Sequence, residues 1–166
     1  MNSIADQFRH WFEYEKDANA KVLASLESVP AAERSSPTFQ KAVKLAAHLA
    51  MARRIWLHRL GIGEQARELF PQTVALADLA PSFHAMERAW TEYLAPLTDA
   101  DLTQVFDYQS LDGGHFRNTV AEVLTQLYGH SHYHRGQIAS LVKAGGGEPA
   151  KTDFIFWARE TILAEK

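Results

Sequence analysis

Three of the chain's eight histidines fall within five positions, in Gly129-His130-Ser131-His132-Tyr133-His134-Arg135-Gly136-Gln137. This stretch lies inside an apolar-periodic run from about Thr119 to Ala144, and that periodicity predicts a helix. A helix turns about 100° per residue, so His130 and His134 stand about 40° apart and one turn apart in height. Both imidazoles can then reach one point beside the helix. His132 lies about 200° from His130 and should face the other way. Two neutral imidazoles on consecutive turns form half a site for a divalent metal, each nitrogen roughly 2 Å from the ion. The plain alternative is a chance spacing on a solvated face.

The neighbours of this pair carry weaker signals. On the plain reading Arg135 is a surface charge. Gly136 costs roughly 1 kcal/mol against alanine in a helix interior, which predicts close approach of another backbone or a ligand. Gln137 either orients a ligand histidine or is simply a good helix former.

A catalytic zinc usually has three protein ligands and an open position, so a third ligand must come from another helix. The chain has no cysteine. Disulfides, thiolate sites and a cysteine nucleophile are excluded, and histidine or carboxylate must supply the donor. His48 is the best candidate, mid-helix on an apolar face with Leu45, Ala52 and Ile55. Its plain alternative is a hydrogen-bonded core histidine. His10, His58, His84 and His115 fit less well. No general base stands out; Glu122, two turns before His130 and about 80° off its face, is a weak candidate.

The elements that must position these residues read as follows. A first helix runs from about Ser3 to Ser28, with Ser3 and Asp6 as a capping pair, and Pro30 ends it. Ser36-Pro37 opens a second helix that carries His48 and runs to about Leu60, with Gly61 as its stop. Gly61 to Pro81 reads as a connection broken by Pro71 and Pro81, and a third helix follows from about Ser82 to Ala95. From Leu102 to Phe116, β-prone residues surround Asp112-Gly113-Gly114, which predicts a short hairpin. Thr119 and Glu122 form a capping box that starts the long helix of His130 and His134, and Gly145-Gly146-Gly147 ends it. Thr152-Asp153 can cap a short last helix over Phe154–Ala164. Trp11, Trp56, Trp90 and Trp157 read as core or interface residues.

Four substantial helices with short links predict an all-α fold, a helix bundle. With 166 residues, 46% hydrophobic and 22% charged, the chain suits a single globular domain over residues 1–166. Its net charge is -3 and it lacks a basic block, so no nucleic-acid binding is expected. No signal peptide or membrane-length apolar run is apparent, and a cytoplasmic location is the expectation.

His48 within Leu45-Ala46-Ala47-His48-Leu49, then His130 to Gln137 after a hairpin, then Asp153-Phe154-Ile155-Phe156, together resemble the DinB-like family. The resemblance spans nearly the whole chain, and His134-Arg135-Gly136-Gln137 is its most specific part. The superfamily includes YfiT-type metal-dependent hydrolases and bacterial low-molecular-weight-thiol S-transferases. The resemblance implies an up-down-down-up four-helix bundle, commonly a homodimer, with His48, His130 and His134 as metal ligands. It also implies a divalent ion (Zn, Ni, Fe or Mn) that activates a water or a low-molecular-weight thiol cosubstrate toward a small-molecule substrate. Some relatives are damage-inducible proteins with no assigned activity, so a non-catalytic metal-binding stress protein is the alternative.

Overall fold

The helix boundaries follow from local chemistry. In the computed structural model, which describes residues 3–64, 68–71 and 73–160, α1 spans Ile4–Glu27. The Ser3 hydroxyl accepts from Asp6 N–H and the Asp6 carboxylate accepts from Ser3 N–H, both at 3.0 Å. These bonds satisfy donors that the first helical turn leaves without partners. After a single 3₁₀ turn at Ala31–Glu33, α2 spans Pro37–Arg59. Ser36 caps it through Phe39 N–H, and Pro37 sits at the first turn, where its missing donor costs nothing. Gly61, at φ +84°, lets the chain turn away.

The third helix, α3, spans Leu76–Leu94, so it begins six residues before the expected Ser82 and contains Pro81. Leu79, Phe83, Met86, Trp90 and Leu94 form a buried stripe at spacings of three and four. Burial of Leu79 extends that stripe to two residues ahead of the proline. The Asp78 carboxylate accepts from Ala75 N–H at 3.1 Å and stabilises the earlier start. Pro81 therefore removes one helical hydrogen bond without ending the helix.

A short helix not expected from the sequence, α4, spans Asp99–Leu102 and is capped by Thr98 and Asp101. The hairpin follows as β1 (Val105–Gln109) and β2 (His115–Thr119), antiparallel, with Val105 opposite Thr119 and Gln109 opposite His115. Gly113, at φ +92°, supplies the left-handed position of its turn. Helix α5 spans Val120–Ala144 behind the expected Thr119–Glu122 capping box. The last helix, α6, covers only Phe154–Ala158 and not Phe154–Ala164, because Arg159 is already extended at ψ 139°. Residues 161–164 of the expected helix lie outside the described residues.

The structure is mostly helical with one two-stranded sheet. Helix α5 lies chiefly along α2 and also against α1, while α3 packs on both α1 and α2. The core fills the space between them with Phe12, Val22, Leu26, Phe39, Phe83, Trp90, Leu127 and Ile138. No helix among the described residues is long and apolar enough to cross a membrane.

Candidate metal centre

His48 projects from the middle of α2, and His130 and His134 from consecutive turns of α5. The contact between α2 and α5 brings the three rings together. One ring nitrogen from each lies within 4.8 Å of the others, the only such histidine or acidic group of three among the described residues. His130 Nε2 is 3.1 Å from His48 Nε2 and 3.1 Å from His134 Nε2. His48 and His134 are buried, and His130 is half-buried. None of His10, His58, His84 or His115 joins them. The His58 Nδ1–H donates to the Gly63 carbonyl, and the His10 ring packs on Trp157.

The outer nitrogens fix which way the lone pairs point. His48 Nδ1 is 3.0 Å from the Leu69 carbonyl, which can only accept, so His48 carries its proton on Nδ1. His134 Nδ1 is 2.8 Å from Gln137 Oε1, and the same reasoning applies. Both rings therefore present bare Nε2 lone pairs to His130 Nε2. A single N–H on His130 could satisfy only one of them. A divalent cation would accept all three, and the donor set fits one: converging imidazoles, two of them held from behind by an acceptor.

Burial favours the neutral form that a ligand needs. It pushes the His130 pKa down to about 4, and His134, His48 and Arg53 push in the same direction. Burial also lowers the pKa of His48, against the hydrogen bond to Leu69. The Phe70 ring lies flat on His48, with centroids 4.0 Å apart and planes 2° from parallel. Leu69 and Phe70 both come from the connection after α2, where the sequence shows no clear pattern.

A cavity of about 160 Å³ opens beside His48 and His130. Ala52, Ile55, Trp56 and Arg59 of α2 line it, with Gln126 and Leu127 of α5, Leu69, and Leu111 from the hairpin tip. No carboxylate is among these lining residues. Glu122 is occupied elsewhere: it caps α5 through Thr119 N–H at 2.7 Å and accepts from Asn118. It is exposed, so the weak expectation of a general base there is corrected.

Of three further expectations, one holds and two do not. His132 does face away, with its Nε2 3.1 Å from the Tyr14 hydroxyl on α1. Arg135 is not a surface charge; it is 2% exposed and pairs with Glu15 at 3.1 Å. Gly136 admits no close neighbour, because a Cβ there would meet nothing within 4 Å.

Sequence reasoning missed the cluster around Glu15. This carboxylate is 1% exposed and is shared by Arg53 of α2 and Arg135 of α5, and Ser131 Oγ donates to it at 3.2 Å. Arg135 also donates to the Tyr14 hydroxyl at 3.2 Å. The available signal was positional: Glu15 falls on the same stripe as Phe8, Phe12, Asn19, Val22 and Leu26. Ser131 and Arg135 each follow a site histidine by one residue. The cluster thus holds α5 against α1 at the roll angle that turns His130 and His134 toward α2.

A mostly helical scaffold with a largely buried three-histidine group between two helices is the class that fold and site define. The chain belongs to the DinB family, whose family model matches residues 1–165. Its fold is similar to that of a DinB-like protein from Bacillus cereus ATCC 10987, with a TM-score of 0.68 and 23% identity over 88% of this chain and 95% of that one. No curated protein matches the chain.

Proposed function

We propose that the protein binds a divalent metal through His48, His130 and His134 and uses it to activate a low-molecular-weight thiol or a water toward a small electrophilic substrate. The single observation that carries this reading is the convergence of three Nε2 atoms, two of them held as bare acceptors by Leu69 and Gln137. When bound, such an ion lowers the pKa of a coordinated water or thiol so that a nucleophile exists near neutral pH.

The chain's own residues supply the rest. Leu69 and Gln137 hold two ligand tautomers, and Phe70 shields one face of His48. Ala52, Ile55, Leu69, Leu111 and Leu127 give the cavity apolar walls. The lack of a carboxylate among the lining residues favours the thiol over the water, since a coordinated thiol loses its proton outright. The same lack also favours the alternative, a non-catalytic metal-binding stress protein.

The reading carries the family's finer features as proposals: one domain over residues 1–166, an up-down-down-up four-helix bundle, a homodimer and a cytoplasmic location. Zinc, nickel, iron and manganese all suit an all-nitrogen site, and availability decides between them.

Metal analysis of protein purified without an affinity tag, for wild type and for His48→Ala and His134→Ala, tests the site. About one ion per chain in the wild type and loss in both variants is the expected result; tight metal binding by both variants overturns it. A screen of thiols against electrophiles then separates enzyme from binding protein by turnover.

A further inference from the structure

Among the described residues that line the cavity beside the histidines, Arg59 is the one arginine or lysine. It lies eleven residues after His48 on α2, which returns it to within about 20° of the same helix face, about 16 Å further along the axis. Ala52 and Ile55 lie between them on that face, and all four residues line one continuous cavity. Two larger openings meet at the same side chain. A cleft of about 590 Å³ runs from Arg59 toward Tyr93 and Phe106, and a pocket of about 360 Å³ runs toward the hairpin tip.

The Arg59 guanidinium is half-buried and sits over two rings, 4.6 Å from the Trp56 centroid and 4.9 Å from the Tyr108 centroid. Ring faces attract the cation but cannot accept from its in-plane N–H donors, and no hydrogen-bond acceptor for them is found among the described residues. Burial lowers its pKa from the ordinary arginine value, with Tyr108 pushing the other way. Among the described residues no acid pairs with it. Asp101 shares the larger cleft but accepts from Thr98 and Gln104, and Asp107 shares the hairpin pocket but is held by Arg117. Glu92, also in the larger cleft, makes no ion pair with Arg59. Arg53 offers the contrast, since its more deeply buried charge has Glu15.

We propose that Arg59 is a binding residue for an oxyanion, a carboxylate or phosphate, on the substrate or cosubstrate of this site. The molecule lies along α2, with its reactive end at the three histidines and its anionic end on the guanidinium. Trp56 and Tyr108 hold the fork flat, and a planar fork matches an oxyanion with two parallel hydrogen bonds. This inference rests on the metal reading for the reactive end only.

Two measurements separate the parts. In metal-free, isotope-labelled protein, acetate and inorganic phosphate are titrated separately while the Trp56 indole N–H is followed by NMR. A saturable shift with either anion is expected, absent in Arg59→Met and retained in Arg59→Lys. The absence of any saturable shift, or one that persists in Arg59→Met, overturns the proposal. In cobalt-loaded protein, ω-mercaptocarboxylates from mercaptohexanoate to mercaptoundecanoate are compared with the corresponding mercaptoalcohols by their effect on the cobalt spectrum. At one or more lengths the acid should bind about tenfold tighter, a preference that Arg59→Met abolishes with cobalt content unchanged. Equal affinity for acid and alcohol at every length overturns the placement along α2. A chain that takes up no cobalt overturns the metal reading, and the NMR titration still decides the oxyanion site.

Discussion

The Nδ1–H of His134 donates to Oε1 of Gln137, one turn further along α5, at 2.8 Å. A candidate ligand and the residue that sets its tautomer therefore share a single helix. Gln137→Ala leaves helix propensity intact and removes only this acceptor. Metal affinity should fall by about 10–100-fold, as for other groups that orient a ligand histidine. Competition against a chromophoric chelator measures it. Wild-type affinity in the variant would show that Gln137 does not hold the ring.

Glu15 is the anion that two buried guanidiniums share. Glu15→Ala leaves both without a counter-charge, and the expected loss is about 3–5 kcal/mol of folding stability. Urea denaturation of the metal-free protein reads the loss directly. A change below about 1 kcal/mol would mean that water reaches Arg53 and Arg135 and that the cluster does not clamp α1 to α5.

The pKa of His130 is lowered from 6.5 to about 4, mainly by burial. Below the unfolded value the unfolded chain binds a proton that the folded chain does not. Its contribution is therefore full above pH 6.5 and is lost as pH falls through about 4. His48 and His132 shift in the same direction, also mainly by burial. In chelator-treated protein the melting temperature should fall across this window. His130→Gln should flatten the fall, and an unchanged pH profile in that variant would contradict the assignment.

Gly136 is exposed in the middle of α5, with open space where a Cβ would stand. Gly136→Ala should raise stability by roughly 1 kcal/mol and leave metal affinity unchanged. Thermal melts and the chelator assay check the two halves. A destabilised variant would indicate a neighbour at this surface, such as a second copy of the chain.

Much of the site could be read from local pattern. The spacing of His130 and His134 and the opposite aim of His132 follow from helix pitch, which depends on nothing outside α5. The caps at Ser3, Ser36 and Thr119 are equally local, because each satisfies donors within three residues of itself. Pro81 misled because its local cost was outweighed by burial of Leu79 against other helices. Arg135 and Gly136 misled for a related reason: periodicity places a residue on a face but does not say what covers that face.

What only the tertiary structure decided is which separate segments meet. His48 reaches His130 across 82 residues, and Glu15 reaches Arg135 across 120. Leu69 and Phe70 close on His48 from a connection with no periodic pattern, and Asp101 and Asp107, which share clefts with Arg59, are bound elsewhere. Sequence by itself determined the three longest helices, their N-terminal caps and the pairing of His130 with His134, since these depend on backbone geometry over a few residues. Partnership between distant side chains depends on how the helices pack, and packing is settled by the burial of the whole set of apolar faces at once.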